Sequence, residues 1–243
     1  MGMLRLWRSV PDRQTGAWLN AGLVVLAAAL TGARLAYALV NLPYFRERPF
    51  EIFMLWEGGL TWEGAVIGAA IAWIGLAFTG LAANAQQPNA SRLGTIGDRL
   101  YPLLPPLAVT AWIGCWLTGA SAGAELAEGA WWGLPALSTP LSTARFFPLQ
   151  PMAAISLLVF FWVLETRVTA MRPAGRLSSI AAGGLLLHLL VISLTISGPV
   201  PTWNGLRIDT LAALGLLVAL LIIILITAVA ARLPRARTAA NFK

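Results

Sequence analysis

The chain has 243 residues, of which 58% are hydrophobic and 11% charged, and its mean hydropathy is +0.75. Soluble domains run at about 45–50% apolar and about 25% charged, so this composition excludes a soluble enzyme or binding module and implies a polytopic membrane protein. The net charge of +7 does not imply nucleic acid, because the arginines sit at the ends of apolar runs, where membrane topology puts them.

The first segment, Met1–Gly16, carries Arg5, Arg8 and Arg13 and leads into an apolar run with no signal-type cleavage site, so that run reads as a retained span. A membrane helix needs roughly 20 mostly apolar residues. Six stretches qualify: Ala17–Val40, Leu60–Ala82, Pro102–Gly119, Pro151–Val168, Leu177–Ser197 and Thr210–Arg232. The expected fold is an all-α bundle of six transmembrane helices forming a single domain over residues 1–243.

The connections add detail. Asn84–Gly97 is polar, contains Pro88 and Gly94, and reads as a cytoplasmic turn. Ala120–Gln150 is the longest non-spanning stretch. Its Ala122–Ala130 is helix-compatible, and Trp131-Trp132 suits the membrane–water interface. Gly198–Arg207 reads as an outer turn, and Leu233–Lys243 as a short basic tail. With the N-terminus in the cytoplasm, twelve of the 17 basic residues fall inside and four outside (Arg46, Arg48, Arg145, Arg207). That split predicts both termini on the cytoplasmic side.

Polar groups are concentrated in Thr31–Gly68, between the first two runs. Arg34 lies in an apolar helix six residues before the span ends. Such a charge either faces protein or water for a functional reason or snorkels to the interface, about 9 Å away. Gly58-Gly59 precede the second run and free backbone N–H groups for an anion, while Gly64-x-x-x-Gly68 permits close helix contact. Glu63 is either a helix-stabilising acid of the first turn or a buried acid/base or partner for Arg34. His188, the chain's sole histidine, rules out His-rich metal ligation, and it reads as a hydrogen-bonded core residue or, less simply, a base. The lone Cys115 rules out an intramolecular disulfide and a cysteine metal cluster and reads as packing. No cofactor or metal is expected.

Gly32-Ala33-Arg34-x-x-Tyr37, followed by Pro49, Trp56, Gly58-Gly59, Gly64 and Gly68, resembles the bacterial prolipoprotein diacylglyceryl transferase family without a gap in spacing. Weaker similarities follow in Gly114-Cys115 and Gly119, in Trp132-Gly133-Leu134-Pro135, and in Arg145-Phe146-Phe147-Pro148-Leu149-Gln150. The resemblance implies an enzyme of the bacterial inner membrane that moves diacylglyceryl from phosphatidylglycerol to the cysteine thiol of a prolipoprotein. It further implies Arg34, Tyr37, Gly58, Gly59, Gly64 and Gln150 as substrate-binding residues, Arg34 holding phosphate. Glu63 stands where the family has its histidine and takes the catalytic position. Other departures are Thr61 for serine, Trp112 for arginine, Thr118 for asparagine and Phe147 for histidine. Two alternatives remain at this point: a catalytically inactive relative that binds anionic phospholipid or a membrane partner, and a small transporter-like bundle. Phospholipid, and a prolipoprotein signal peptide if the chain is active, are the expected partners.

Overall fold

A computed structural model describes residues 15–79, 89–127, 129–135, 144–168, 174–197 and 202–232. The architecture is helical. The main helices are α1 (Thr15–Val40), α2 (Trp62–Ala77), α3 (Asn89–Leu100), α4 (Leu104–Thr118), α5 (Leu149–Val168), α6 (Arg176–Ser193) and α7 (Ile208–Arg232). Sheet is confined, among the described residues, to two-residue pairs: Leu134–Pro135 with Arg145–Phe146, and Thr202–Trp203 with Leu206–Arg207.

Five helical stretches are long and apolar enough to cross a membrane: Gly16–Val40, Arg92–Thr118, Leu149–Arg167, Arg176–Ser193 and Ile208–Ile226. The sixth expected span is present as the shorter apolar helix α2. Its 16 residues rise about 24 Å, less than the roughly 30 Å hydrocarbon core. The expected end of that span, beyond Thr79, lies outside the described residues, as do residues 1–14, 198–201 and 233–243.

Two expectations are corrected. The described part of Asn84–Gly97 is not a turn: α3 begins at Asn89. Its polar residues conceal an amphipathic stripe, in which Ile96 is fully buried and Leu100 nearly so, packed with Trp18, Ala21 and Leu76. Asp98 on the other side of α3 accepts hydrogen bonds from the Gly175 and Ser178 N–H groups (2.6 and 2.8 Å) and so caps the start of α6. The second correction concerns Ala122–Ala130, which forms no helix over its described residues. It runs extended against the 145–147 segment, with Leu126 N–H donating to Arg145 O (2.8 Å) and Phe147 N–H to Ala124 O (2.9 Å).

The helices pack chiefly in sequential pairs, α1 on α2, α4 on α5 and α6 on α7. The α1–α2 pair is the tightest. A Cβ added to Gly32 would strike the Gly64 carbonyl, and one on Gly68 would strike the Ala28 carbonyl. Backbone therefore lies on backbone at this crossing, as small residues at four-residue spacing allow. The α4–α5–α6 group instead interlocks large side chains: Tyr101 just ahead of α4, Trp112, Leu157, Phe161 and Leu164. Outward faces stay apolar; α7 exposes Leu221, Ile222 and Leu225. In a multi-pass membrane protein that surface meets lipid tails rather than water.

Candidate functional site

Arg34 sits on α1 and is 5% exposed. It does not snorkel. Its side chain turns into the segment that links α1 to α2, made of the six-residue helix Leu42–Glu47 and two 3-10 turns, Pro49–Phe53 and Leu55–Glu57. Nε donates to Ile52 O (2.9 Å). Nη1 donates to Gly58 O and Gly59 O, and Nη2 to Glu51 O and Met54 O. A guanidinium has five N–H donors, and every one is thus committed to a backbone carbonyl. The faces of Phe45 and Tyr37 lie 5.4 and 5.8 Å from its central carbon and add cation–π attraction. Arg34 pairs with no carboxylate, so Glu63 is not its partner, and no N–H remains for a phosphate in this arrangement.

The other residues of the cradle fit around that group. Gly58 and Gly59 have φ of +81° and +68°, a region that side chains with a Cβ rarely adopt, and both turn their carbonyls toward Arg34. A Cβ on Gly59 would also meet the Tyr37 ring. Thr61 then joins the loop to α2. Its N–H donates to Ala33 O (3.2 Å), and its Oγ1 accepts the Gly64 N–H (3.4 Å) as the N-cap. Five candidates, Arg34, Tyr37, Gly58, Gly59 and Gly64, are therefore gathered in one place. Inward carbonyls leave the aromatic side chains outward: Phe50, Phe53 and Trp56 are each more than three-quarters exposed. On the outer rim the Tyr44 hydroxyl donates to the Glu51 carboxylate, and this bond holds the tyrosine pKa above its ordinary value.

Glu63 and Gln150 belong to a second strip at the bundle end where α4 stops and α5 begins. Gln150, 6% exposed, donates from Nε2 to Ala120 O (3.0 Å). Ser197 N–H donates to Ala122 O (3.0 Å). Arg207 donates to Ile196 O (2.7 Å) and grips Asp209 through two nitrogens (3.2 and 2.9 Å). Asp209, at the start of α7, lies within electrostatic range of half-buried Glu63. These contacts join Gln150 to Glu63 through backbone and side chains. Sequence reasoning missed the Arg207–Asp209 pair, although an acid in the first turn of an apolar helix two residues after an arginine was a legible signal. The position occupied by Trp112 is apolar and 7% exposed, and its ring packs edge-on against His188 at 6.0 Å. Among the described residues no cluster of three or more His, Cys, Asp or Glu side chains could hold a metal.

Comparison with known proteins places this geometry. The model of the family described as prolipoprotein diacylglyceryl transferase matches residues 2–233. A phosphatidylglycerol–prolipoprotein diacylglyceryl transferase of Fusobacterium nucleatum subsp. nucleatum is 43% identical over 49 residues, 20% of this chain and 17% of that protein. One from Zymomonas mobilis subsp. mobilis is 44% identical over 59 residues, 24% of this chain and 19% of that protein. One from Bradyrhizobium diazoefficiens is 25% identical over 222 residues, 86% of this chain and 71% of that protein. The high-identity matches thus span about a fifth of their relatives' length, while the long match is dilute.

Proposed function

The chain belongs to the prolipoprotein diacylglyceryl transferase family, and we propose that it transfers diacylglyceryl from phosphatidylglycerol to a prolipoprotein cysteine at the outer face of a bacterial inner membrane. The single observation that carries this reading is the Arg34 cradle. The family's most specific residues are spent on giving one loop a fixed shape at a bundle end, directly ahead of the helix that bears Glu63. The twelve-to-four division of basic residues supports an outward-facing cradle with both termini inside.

In the transfer, the acceptor sulfur forms a bond to the glyceryl carbon of phosphatidylglycerol. The bond from that carbon to phosphate oxygen breaks, and glycerol phosphate leaves with the electron pair. The thiol proton goes to the Glu63 carboxylate. Arg34 acts through the loop it holds, with Tyr37, Gly58, Gly59 and Gly64 forming the headgroup-side wall and Gln150 the opposite one. Three of the five N–H donors of Arg207 have partners among the described residues, so this cation near Glu63 is the group that offsets the charge of the departing phosphate.

Expression in cells depleted of their own transferase tests the reading. Lipid modification of a reporter prolipoprotein is expected to return, and Glu63→Gln and Arg34→Ala are each expected to abolish it. Good membrane expression without any modification of the reporter overturns the transferase reading.

A further inference from the structure

His188 has a hydrogen-bonding state that its surroundings decide. It lies on α6, five residues from the helix end at Ser193, so about 8 Å below it. Ser156 on α5 is seven residues from Leu149, about 10 Å in, and Trp112 on α4 is six residues from Thr118, about 9 Å in. The three side chains form one layer across α4, α5 and α6. Ser156 Oγ–H donates to Ala153 O (2.9 Å). With its proton committed there, the same oxygen can only accept from the ring nitrogen His188 Nδ1, 3.4 Å away. Nδ1 therefore carries the ring proton, and Nε2 carries a lone pair. That Nε2 is buried and has no hydrogen-bond partner. Trp112 covers the ring edge-on, while Ser156 faces the exposed surface of α5.

A buried acceptor without a donor is costly, and the cost is recovered when a donor arrives. The donor this place suits is neutral, because the immediate layer holds no carboxylate or cation to balance a charge. It must also come from the lipid phase, since α5 beside it exposes Met152, Ile155, Leu158 and Val159. We propose that His188 Nε2 accepts a hydrogen bond from a hydroxyl of a polyol phospholipid headgroup drawn between α5 and α6, selecting hydroxyl-bearing lipids over those without a donor. Phosphatidylglycerol is the probe because the proposed transfer uses it, and the choice of probe rests on that reading.

His188 is the chain's one histidine, so ¹⁵N-histidine labelling reports a single ring. The protein is placed in nanodiscs of phosphatidylglycerol diluted in phosphatidylcholine, and in matched discs with phosphatidylmethanol, which carries the same charge but no hydroxyl. In both, Nδ1 is expected to be the protonated nitrogen. Nε2 is expected to show a hydrogen-bonded shift only in the phosphatidylglycerol discs. His188→Gln, which keeps an acceptor, is expected to retain co-purified phosphatidylglycerol, and His188→Leu to lose it about fivefold relative to phosphatidylcholine. A hydrogen-bonded Nε2 in both discs identifies water or protein as the donor and overturns the proposal. So does a free lone pair in both discs, or a proton on Nε2. These readings need no turnover. A headgroup-dependent shift in a protein that fails to modify the reporter removes the transferase reading alone, and rescue with an unresponsive Nε2 removes this one alone.

Discussion

The α1–α2 unit and the α4–α5–α6 unit handle polar groups in opposite ways. In the first, a full positive charge is buried and each of its donors is met by a carbonyl, so Arg34 organises the loop from Glu51 to Gly59. In the second, apolar side chains interlock and a neutral imidazole keeps one atom without a partner. A saturated group fixes shape and has nothing left to give a ligand. An unsaturated one contributes little to shape and is available. The family's best-preserved residues are thus the most structurally committed, and chemistry has to draw on groups elsewhere, at Glu63, Arg207 and His188.

The largest way to break this contrast is Arg34→Ala. It leaves the carbonyls of Glu51, Ile52, Met54, Gly58 and Gly59 without their donor, and a loss on the order of 3–5 kcal/mol is expected. Thermal unfolding in nanodiscs together with proteolysis of the 49–59 loop measures it. Arg34→Lys keeps the charge but presents three donors in place of a planar fork, so it should recover only part of the loss. A lysine variant as stable as the parent means that charge, and not the fork, organises the loop. Next in size is Gly64→Ala. Its methyl group would meet Gly32 and Ala36 and force α1 from α2, at about 1–3 kcal/mol. Ser156→Ala probes the opposite unit, where polar contacts do not hold the fold. A change within about 1 kcal/mol is expected in the same unfolding assay. A loss as large as that of Arg34→Ala would erase the distinction between the units.

Much of this was legible in the sequence, and the remainder was hidden for physical reasons. Apolar run length located the spans, and the Gly32, Gly64 and Gly68 spacing marked a close helix crossing. The polar density of Thr31–Gly68 marked the cradle. What spacing could not reveal was direction. A buried arginine is equally compatible with a ligand, a carboxylate or backbone carbonyls, and the 3-10 turns that aim those carbonyls inward leave no periodic trace over so few residues. The helix α3 was missed because Asn89, Gly94 and Gly97 outweighed a stripe of Leu93, Ile96 and Leu100. Its partners, Trp18 and Leu76, come from helices far away in sequence. The strip from Gln150 to Glu63 passes largely through backbone contacts, to which side-chain identity is nearly blind.

The smallest expected effect lies on the cradle's outer rim and tests whether the loop is held from within alone. Tyr44 donates to Glu51, whose own backbone carbonyl is gripped by Arg34. That donation raises the tyrosine pKa, because the proton is needed for the bond; Arg48 beside it works in the other direction but more weakly. A group whose folded pKa lies above its ordinary value stabilises fully below that ordinary value, about pH 10 for tyrosine, and loses the contribution as pH rises through the folded one. The parent and Tyr44→Phe should therefore differ by a constant small margin in loop proteolysis at neutral pH, and the margin should close as the parent's tyrosine ionises above about pH 10. Because the pair is solvent-exposed, salt should shrink the margin as well. If the margin widens with pH, Tyr44 is not the donor. If there is no margin at any pH, Arg34 alone sets the loop and the rim adds nothing to it.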